Sequence, residues 1–381
     1  PGDFIDHLAP HMYQGILDDF NMQDLVLELK KKEMNNQPIS FVNVYGILLA
    51  QKILKGLGAD HPSAIELTCC TAIFDEVKMP LSIKTSVIGN NDLNEWTEFT
   101  PYQVGSTYLQ TFIPTWAFGR KFENGFSVDF APPQSIGFCL GIWSSAMCID
   151  PKDFIKFVVK PNLDEAEASF VDNAIAPIAT MVYNTLSKLG ISYLKKDNAD
   201  NPLAALSAHR IYPAEIFNWN LGIKDVPLNT EKTLALVDSG HAFNFPLPAL
   251  LRKERDVDII IIIDASDTPK DEWDNAERYI KEHNLPFPSI DRTQFNKTCS
   301  VHADPAHPDA PIIIYFPLIK NSTYKDNWDP WSVSFTGTFN EKYTQEQVHL
   351  LSGLAHSNMA QGMPIIMDTI KQWIENKKNN A

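Results

Sequence analysis

An α/β fold is predicted by three unbroken apolar runs that alternate with helical patterns. The runs at 233–237, 258–264 and 311–318 have the continuous apolar character of parallel strands that are buried on both faces. Helical spacing of apolar residues occupies 271–283, between two of these runs, and 344–378, after the last. Strands that alternate with helices favour a sheet with helical layers on both faces, which is a three-layer α/β/α architecture.

The region before these runs is predicted to be helical first and then rich in strands. Residues 12–33 form an amphipathic helical pattern, and 42–56 form a second one. Residues 60–135 carry the β-forming and turn residues that are typical of short strands. Near the other end of the chain, Gly362 to Pro364 predicts an interruption in the last helix.

Residues 161–205 differ from the rest of the chain. An acidic stretch is followed by an apolar helical run and then by a polar linker at 195–202. The region is open to two interpretations, a lid or flexible insertion and an ordinary surface helix with its loop.

Composition and charge exclude some classes of function. The chain has 381 residues, of which 44% are hydrophobic, enough for one large domain or two. A net charge of −15 disfavours nucleic-acid binding and broad attachment to anionic membranes, because both depend on clustered Lys and Arg. Binding to zwitterionic lipid through apolar groups stays open. Trp328 and Trp331 are consistent with a membrane contact or with a packed loop.

The cysteines and the hydropathy bear on location. Five cysteines are scattered, adjacent Cys69 and Cys70 are poorly placed for a disulfide, and no Cys-x-x-Cys pair occurs. These features favour a reduced, cytosolic compartment. No apolar stretch has transmembrane length.

Asp238 is the strongest chemical candidate. It follows the apolar run 233–237 and precedes Ser239-Gly240, so the carboxylate is expected at the rim of the sheet, where α/β proteins place catalytic groups. Such a carboxylate can act as general base towards a serine hydroxyl. It can equally cap the turn that follows it.

A serine partner for Asp238 is difficult to find. The Gly-x-Ser-x-Gly elbow of α/β hydrolases does not occur, and Ser144 and Ser145 are weak substitutes. His349 and His356 share a helical face but lack a third ligand with recognised spacing, so zinc binding is not supported. Arg252 and Arg255 suit bidentate contact with a phosphate or a carboxylate, or form an ordinary basic cluster at the surface.

Several segments together carry a family resemblance: 36–41 with Tyr45-Gly46, 98–105, 137–146, 237–246, 250–252 with 255–260, and 284–288. They resemble the catalytic domain of group IV cytosolic phospholipase A2, which shares a superfamily with fungal lysophospholipases. The Asp-Ser-Gly form followed by Phe-Asn-x-Pro leans towards the animal cytosolic type.

The resemblance implies a patatin-like fold and a Ser/Asp dyad that hydrolyses acyl esters of glycerophospholipids. Asp238 stands where the family has its catalytic aspartate, and Arg255 matches a family arginine that is important for activity. It further implies one catalytic domain over 1–381, with cap elements around 12–95 and a lid or insertion around 161–205. The expected partners are phospholipid and the membrane surface, to which a cytoplasmic protein attaches peripherally.

The chain departs from the family in one important respect. Neither Gly-x-Ser-Gly nor the glycine-rich oxyanion loop occurs, so the chain is expected to be an N-terminally incomplete domain that is inactive alone. No cofactor is expected, since calcium acts only through a C2 domain that is not part of this sequence. Without the missing strand, Ile259 to Ile263 or a strand beside it is expected to expose apolar surface at an unpaired edge. The alternative function is a lipid-binding or regulatory pseudoenzyme of the same fold.

Overall fold

The computed structural model describes residues 2–15, 18, 20–54, 61, 65–69, 80–90, 93–146, 213–266, 269–337, 340 and 342–380. The predicted lid at 161–205 lies outside the described residues. The chain divides into two compact units. Gln14–Ala242 forms one, named here the six-stranded unit, and Pro1–Tyr13 with Phe243–Ala381 forms the other, named the three-stranded unit.

The helices and strands are numbered in chain order. The helices are α1 (Gly2–Met12), α2 (Met22–Met34), α3 (Phe41–Ile53), α4 (Ile136–Trp143), α5 (Leu247–Leu250), α6 (Pro269–Glu282) and α7 (Gln345–Asn380). The strands are β1 (Lys84–Ile88), β2 (Glu95–Phe99), β3 (Gln103–Ser106), β4 (Thr111–Pro114), β5 (Phe122–Glu123), β6 (Phe126–Ser127), β7 (Ala214–Phe217), β8 (Thr233–Asp238), β9 (Ile259–Asp264), β10 (Ser300–His302) and β11 (Ile312–Pro317).

The six-stranded unit is built on one antiparallel sheet with the strand order β4-β3-β2-β1-β8-β7. The predicted strand at 233–237 is present as β8, but its predicted parallel setting is wrong. Its neighbours β1 and β7 both run antiparallel to it, in a register that pairs Ser86 with Asp238 and Ala214 with Leu236. An unbroken apolar run therefore indicated burial correctly and carried no information about strand direction.

Helices α2 and α3 lie in the same unit and largely match the predicted helices. The helix predicted over 12–33 begins only at Met22, because the Asn21 side chain accepts the backbone N–H groups of Gln23 and Asp24 and so caps it there. The two helices share a core cluster that includes Leu25, Leu29 and Leu48.

Helices α3 and α4 cross at a close approach of their backbones. A Cβ added to Gly46 would lie 2.1 Å from the carbonyl oxygen of Gly137, and one added to Gly141 would lie 2.3 Å from the carbonyl oxygen of Val42. Only glycine fits at both positions, so the crossing depends on the absence of side chains. Helix α4 in turn contacts β8, the strand that ends at Asp238.

The three-stranded unit holds the other two predicted core strands. Its sheet has the order β10-β11-β9, and β9 and β11 are parallel as predicted, with Ile260 opposite Ile313. Helix α6 buries Trp273 among aromatic rings that include Phe245 and Tyr315.

Helix α7 corrects the prediction of an interrupted last helix. It runs without a break from Gln345 to Asn380 and includes Pro364. Gly362 is needed for packing and does not end the helix, since a Cβ there would lie 2.2 Å from Cε1 of Phe316 on β11. Ile366, one turn further along, joins the core cluster that contains Phe316 and Cys299.

Strand β9 has exposed apolar side chains, as expected from the sequence. In the described part of the chain it pairs with β11 alone, and Ile261 and Ile263 are 44% and 71% exposed. Within the same ranges, no helix combines the length and the apolar character that are needed to cross a bilayer.

Candidate active site around Asp238

Asp238 is the last residue of β8 and begins a turn of 3-10 helix that spans Ser239–His241. Its Oδ1 accepts a hydrogen bond of 2.7 Å from the backbone N–H of Gly240. The carboxylate therefore does cap its own turn, as one interpretation of the sequence held. This bond engages one carboxylate oxygen and fixes the direction of the group.

The backbone of Asp238 is held by a serine from the end of α4. The Ser145 hydroxyl accepts the Asp238 N–H at 3.2 Å and donates to the carbonyl of Ile142 at 2.9 Å. Ser144 donates its hydroxyl to the Leu140 carbonyl at 2.5 Å. Both candidate serines thus have their hydrogens bonded to helix carbonyls, and the hydroxyl of Ser145 positions Asp238 without bonding its carboxylate.

Two further contacts fix the turn after Asp238. Nε2 of His241 lies 3.2 Å from the carbonyl oxygen of Ala146, and because a carbonyl only accepts, Nε2 carries the hydrogen. The hydroxyls of Ser239 and Thr85 lie 3.2 Å apart and share a hydrogen bond. The turn is therefore attached to β1 and to the segment after α4.

Burial shapes the electrostatics of this turn. It raises the pKa of Asp238, an effect partly offset by the Gly240 N–H and by His241. It also lowers the pKa of His241, against the opposing influence of Asp238 and of the Ala146 carbonyl. A carboxylate with a raised pKa holds an abstracted proton more readily, which suits a general base.

Arg255, the second predicted site residue, belongs to the three-stranded unit. It ends a turn of 3-10 helix, Lys253–Arg255, and one of its guanidinium nitrogens donates to the carbonyl of Ala249. The next residue, Asp256, adopts a left-handed conformation with a φ of 46°. The role of Arg255 in catalysis stays a prediction.

A serine–histidine pair elsewhere has the wrong proton arrangement for nucleophilic catalysis. The Ser300 hydroxyl lies 2.9 Å from Nε2 of His302, and both residues are buried. Nδ1 of that ring accepts the backbone N–H of Asp291 at 3.2 Å, so Nε2 carries the hydrogen and donates to the serine. A general base needs a free lone pair at that nitrogen, so we interpret this pair as structural.

Asp264 also ends a buried strand, but its surroundings differ from those of Asp238. One of its carboxylate oxygens accepts the Tyr315 hydroxyl at 2.6 Å and the other accepts the backbone N–H of Ser266 at 2.7 Å. Both oxygens are thus engaged in the core. Among the described residues, no three His, Cys, Asp or Glu side chains come together as a metal site.

A strand-end carboxylate with a raised pKa, on a turn that is fixed by several hydrogen bonds, is a candidate for a functional site. The chain belongs to the lysophospholipase catalytic domain family, which matches residues 8–327. It is 24% identical to mouse cytosolic phospholipase A2 delta over 99% of this chain and 52% of that protein. It is 26% identical to human cytosolic phospholipase A2 epsilon over 78% of this chain and 38% of that protein.

Solved structures confirm the predicted fold class. Human GIVD cytosolic phospholipase A2 superposes with a TM-score of 0.70 at 22% identity, over 97% of this chain and 54% of that one. The same enzyme in complex with methyl gamma-linolenyl fluorophosphonate superposes with a TM-score of 0.66. The chain therefore has the patatin-like α/β fold of this catalytic domain, and it spans about half the length of the relatives that it matches.

Proposed function

We propose that this chain supplies the general base of a phospholipase A2 or lysophospholipase, a carboxylic ester hydrolase that acts on glycerophospholipids through a Ser/Asp dyad. The observation that carries the proposal is the Asp238 carboxylate, which is partly buried, fixed by Gly240 and raised in pKa. Membership of the lysophospholipase catalytic domain family supports the class of substrate.

The proposed chemistry proceeds in two steps. Asp238 takes the proton of a serine hydroxyl as the serine oxygen attacks the ester carbonyl, and the protonated aspartic acid then gives that proton to the departing alcohol. In the second step Asp238 takes a proton from water, hydroxide adds to the acyl-enzyme, and the serine leaves with the proton returned to it. The proposal requires a serine nucleophile from outside these 381 residues, in which Gly-x-Ser-Gly does not occur.

Arg255 is proposed to stabilise the dyad or to bind the substrate phosphate. Its planar guanidinium suits either partner, because both present two oxygens to paired N–H donors. The proposed reaction uses side chains alone, without a cofactor. We further propose that the protein is cytoplasmic and attaches peripherally to membranes, in keeping with relatives that are named cytosolic.

Hydrolysis by the full coding product that contains these residues tests the proposal. Release of fatty acid from phosphatidylcholine and lysophosphatidylcholine is measured for the wild type, for Asp238→Asn and for the control Asp225→Asn. Asp225 is exposed in the same unit and has a φ of 61°, which asparagine tolerates well. We expect Asp238→Asn to lower kcat by about 10²–10⁴-fold and the control to leave it unchanged.

Labelling with a fluorophosphonate probe separates the proposal from its alternative. The full coding product should be labelled on one serine, whereas the 381-residue chain alone should remain unlabelled. A full product that is folded but neither labelled nor active would instead support the lipid-binding pseudoenzyme.

A further inference from the structure

A β-hairpin of the six-stranded unit, formed by β5 and β6, presents an exposed apolar surface. Phe126, Val128 and Phe130 on it are 75%, 50% and 95% exposed. The neighbouring loops add Tyr102 and Trp116, which are exposed as well. These five side chains are named here the aromatic face.

The polar side chains of Ser127 and Asp129, which alternate with the apolar ones, bond to nearby groups, while Glu123, the cross-strand partner of Phe126, is exposed beside it. Ser127 donates its hydroxyl to the carbonyl of Asp129, and the Asp129 carboxylate accepts the backbone N–H groups of Lys121 and Ala131. The polar groups of Ser127 and Asp129 are therefore used locally, whereas the apolar side chains that alternate with them face solvent. This arrangement is the reverse of what burial of apolar area favours, so it indicates a surface that meets an apolar phase.

The hairpin is preformed and firmly attached. Its two-residue turn, Asn124-Gly125, has φ angles of 50° and 85°, as in the tightest hairpin turns. The N–H of Asn124 bonds to the carbonyl of Leu221 at 2.9 Å, which ties the turn to the loop after β7. Little conformational entropy is therefore lost when the face docks.

Arg120 joins the two parts of the aromatic face. Its guanidinium lies 4.7 Å above the ring of Trp116, and its Nε donates to the carbonyl of Ala131 at 2.7 Å, beside Phe130. The backbone N–H of Thr115 bonds to the carbonyl of Tyr102 at 3.1 Å and brings that residue alongside. A guanidinium among aromatic rings suits the phosphate of a lipid head group.

Charge and size identify the partner. The cations Arg120 and Lys121 are balanced by Glu123 and Asp129 in the hairpin, and the whole chain carries −15, so attraction to anionic lipid is not favoured. Five side chains are far fewer than the roughly 20 residues that a stable protein interface needs on each side. Shallow insertion into a membrane interface needs only a few aromatic groups.

We propose that the aromatic face docks on a zwitterionic phospholipid surface, with Phe126 and Phe130 inserted into the interface. The inference rests on the proposed function in one respect: the proposed glycerophospholipid substrate lies in a membrane surface of this kind. Trp328 and Trp331, the candidates for membrane contact from the sequence, do not form this surface. Trp328 packs against Phe335, and the indole N–H of Trp331 bonds to the Leu318 carbonyl at 2.5 Å.

Binding of the full coding product to phosphatidylcholine vesicles, measured by vesicle flotation, tests the proposal without any turnover. The double variant Phe126→Ser/Phe130→Ser is compared with the control Leu27→Ser/Met34→Ser, which removes exposed apolar side chains from α2 in the same unit. We expect the hairpin variant to bind at least about ten-fold more weakly and the control to bind like the wild type, with little dependence on salt. If the double variant unfolds, Phe130→Ser alone serves, since that ring is almost fully exposed.

Three outcomes would overturn the proposal. In the first, the two double variants lose vesicle binding equally. In the second, the wild type does not bind vesicles or binds only anionic ones. In the third, the wild type is a dimer in sedimentation velocity and the hairpin substitutions dissociate it. Hydrolysis of a short-chain monomeric lysophospholipid by the full coding product separates this proposal from the proposed function. The hairpin substitutions should leave that hydrolysis unchanged, whereas failure of the proposed function would remove it in the wild type as well.

Discussion

The hydroxyl of Ser145 accepts a hydrogen bond of 3.2 Å from the backbone N–H of Asp238 across 93 residues of sequence. Ser145 is fully buried, and the same hydroxyl donates to the Ile142 carbonyl. The segment at the end of α4 thereby fixes the position of Asp238 at the end of β8. The catalytic proposal for Asp238 depends on this contact as much as on the carboxylate itself.

Ser145→Ala should therefore loosen the Asp238 turn. The substitution leaves the Asp238 N–H without its acceptor, and we expect a loss of about 1–3 kcal/mol in the free energy of unfolding. Hydrogen exchange at the Asp238 and Gly240 amides should become faster. Ser144→Ala is the control, because the Ser144 hydroxyl bonds only within its own helix. Equal exchange rates in the two variants would contradict the positioning role of Ser145.

Asp238→Asn should stabilise the protein at neutral pH. Burial raises the pKa of Asp238, so the folded chain holds this proton more tightly than the unfolded chain. The stability contributed by that proton is complete below the ordinary value of 3.8 and is lost as the pH rises through the folded pKa. Asparagine has no such loss. We therefore expect the free energy of unfolding of Asp238→Asn to exceed that of the wild type by about 1 kcal/mol at pH 7, and the difference should shrink towards pH 4. Denaturant unfolding at several pH values measures it, and a gain that is independent of pH would refute the electrostatic cause.

Lys32→Met should remove a pH dependence in the alkaline range. Lys32 is buried, its ammonium donates to the Gln134 side chain at 2.7 Å and lies 3.4 Å from the centroid of the Phe138 ring, and burial lowers its pKa to about 7. The unfolded chain, with the ordinary 10.5, binds more protons between these values, so this group makes stability rise with pH.

The expected slope from Lys32 is at most about 1.4 kcal/mol per pH unit. Unfolding of the wild type and of Lys32→Met by guanidinium is measured between pH 7 and about 10. The stability of the variant should exceed that of the wild type most near pH 7. Lys30→Met, at an exposed position on the same helix, is the control and should leave the wild-type slope intact.

Gly46→Ala should disrupt the crossing of α3 and α4. The added Cβ would meet the Gly137 carbonyl oxygen at 2.1 Å and the backbone nitrogen of Gly141 at 2.6 Å, so a helix must move. We expect a loss of about 3 kcal/mol or more in thermal or denaturant unfolding. Gly89→Ala is the matched control, since its Cβ would make only ordinary contacts, at 3.6 Å or more. A Gly46→Ala protein as stable as this control would refute the close crossing.

The 381-residue chain should aggregate through β9 when it is produced alone. The exposed Ile261 and Ile263 lie on a strand that pairs on one side only within the described residues. Ile263→Lys should lower the light scattering of the isolated chain, because a charge on an exposed strand opposes association. The control Phe130→Lys removes an exposed apolar side chain from the hairpin. If it lowers the light scattering as much as Ile263→Lys does, aggregation is not caused by β9.

Local patterns were sufficient to predict Asp238 and its strand. The apolar run up to Val237 and the small residues Ser239 and Gly240 indicated a strand followed by a sharp turn, and both are present. The partners of that turn could not be predicted in the same way. Ser145 and Ala146 contact it from a distant part of the chain, and nothing in their own neighbourhood indicates a contact with Asp238.

Two errors have the same physical origin. The antiparallel setting of β8 is decided by its neighbours β1 and β7, which an apolar run does not specify. Gly362 to Pro364 predicts an interruption because glycine and proline disfavour helix interiors, yet α7 continues through them and tertiary packing of Gly362 against Phe316 outweighs that preference. Asn21, by contrast, is a standard helix cap, so the start of α2 is indicated by the local sequence.

The place of β8 between two paired strands has a consequence for motion. Because β1 and β7 flank it on both sides, the strand that carries Asp238 cannot detach without breaking two ladders of hydrogen bonds. Its amides should exchange only when the six-stranded unit opens as a whole, which makes the free energy of that opening a measure of how long Asp238 stays in place. The rigidity of this turn is then a collective property of the sheet, and substitutions far from it alter its lifetime without touching any of its contacts.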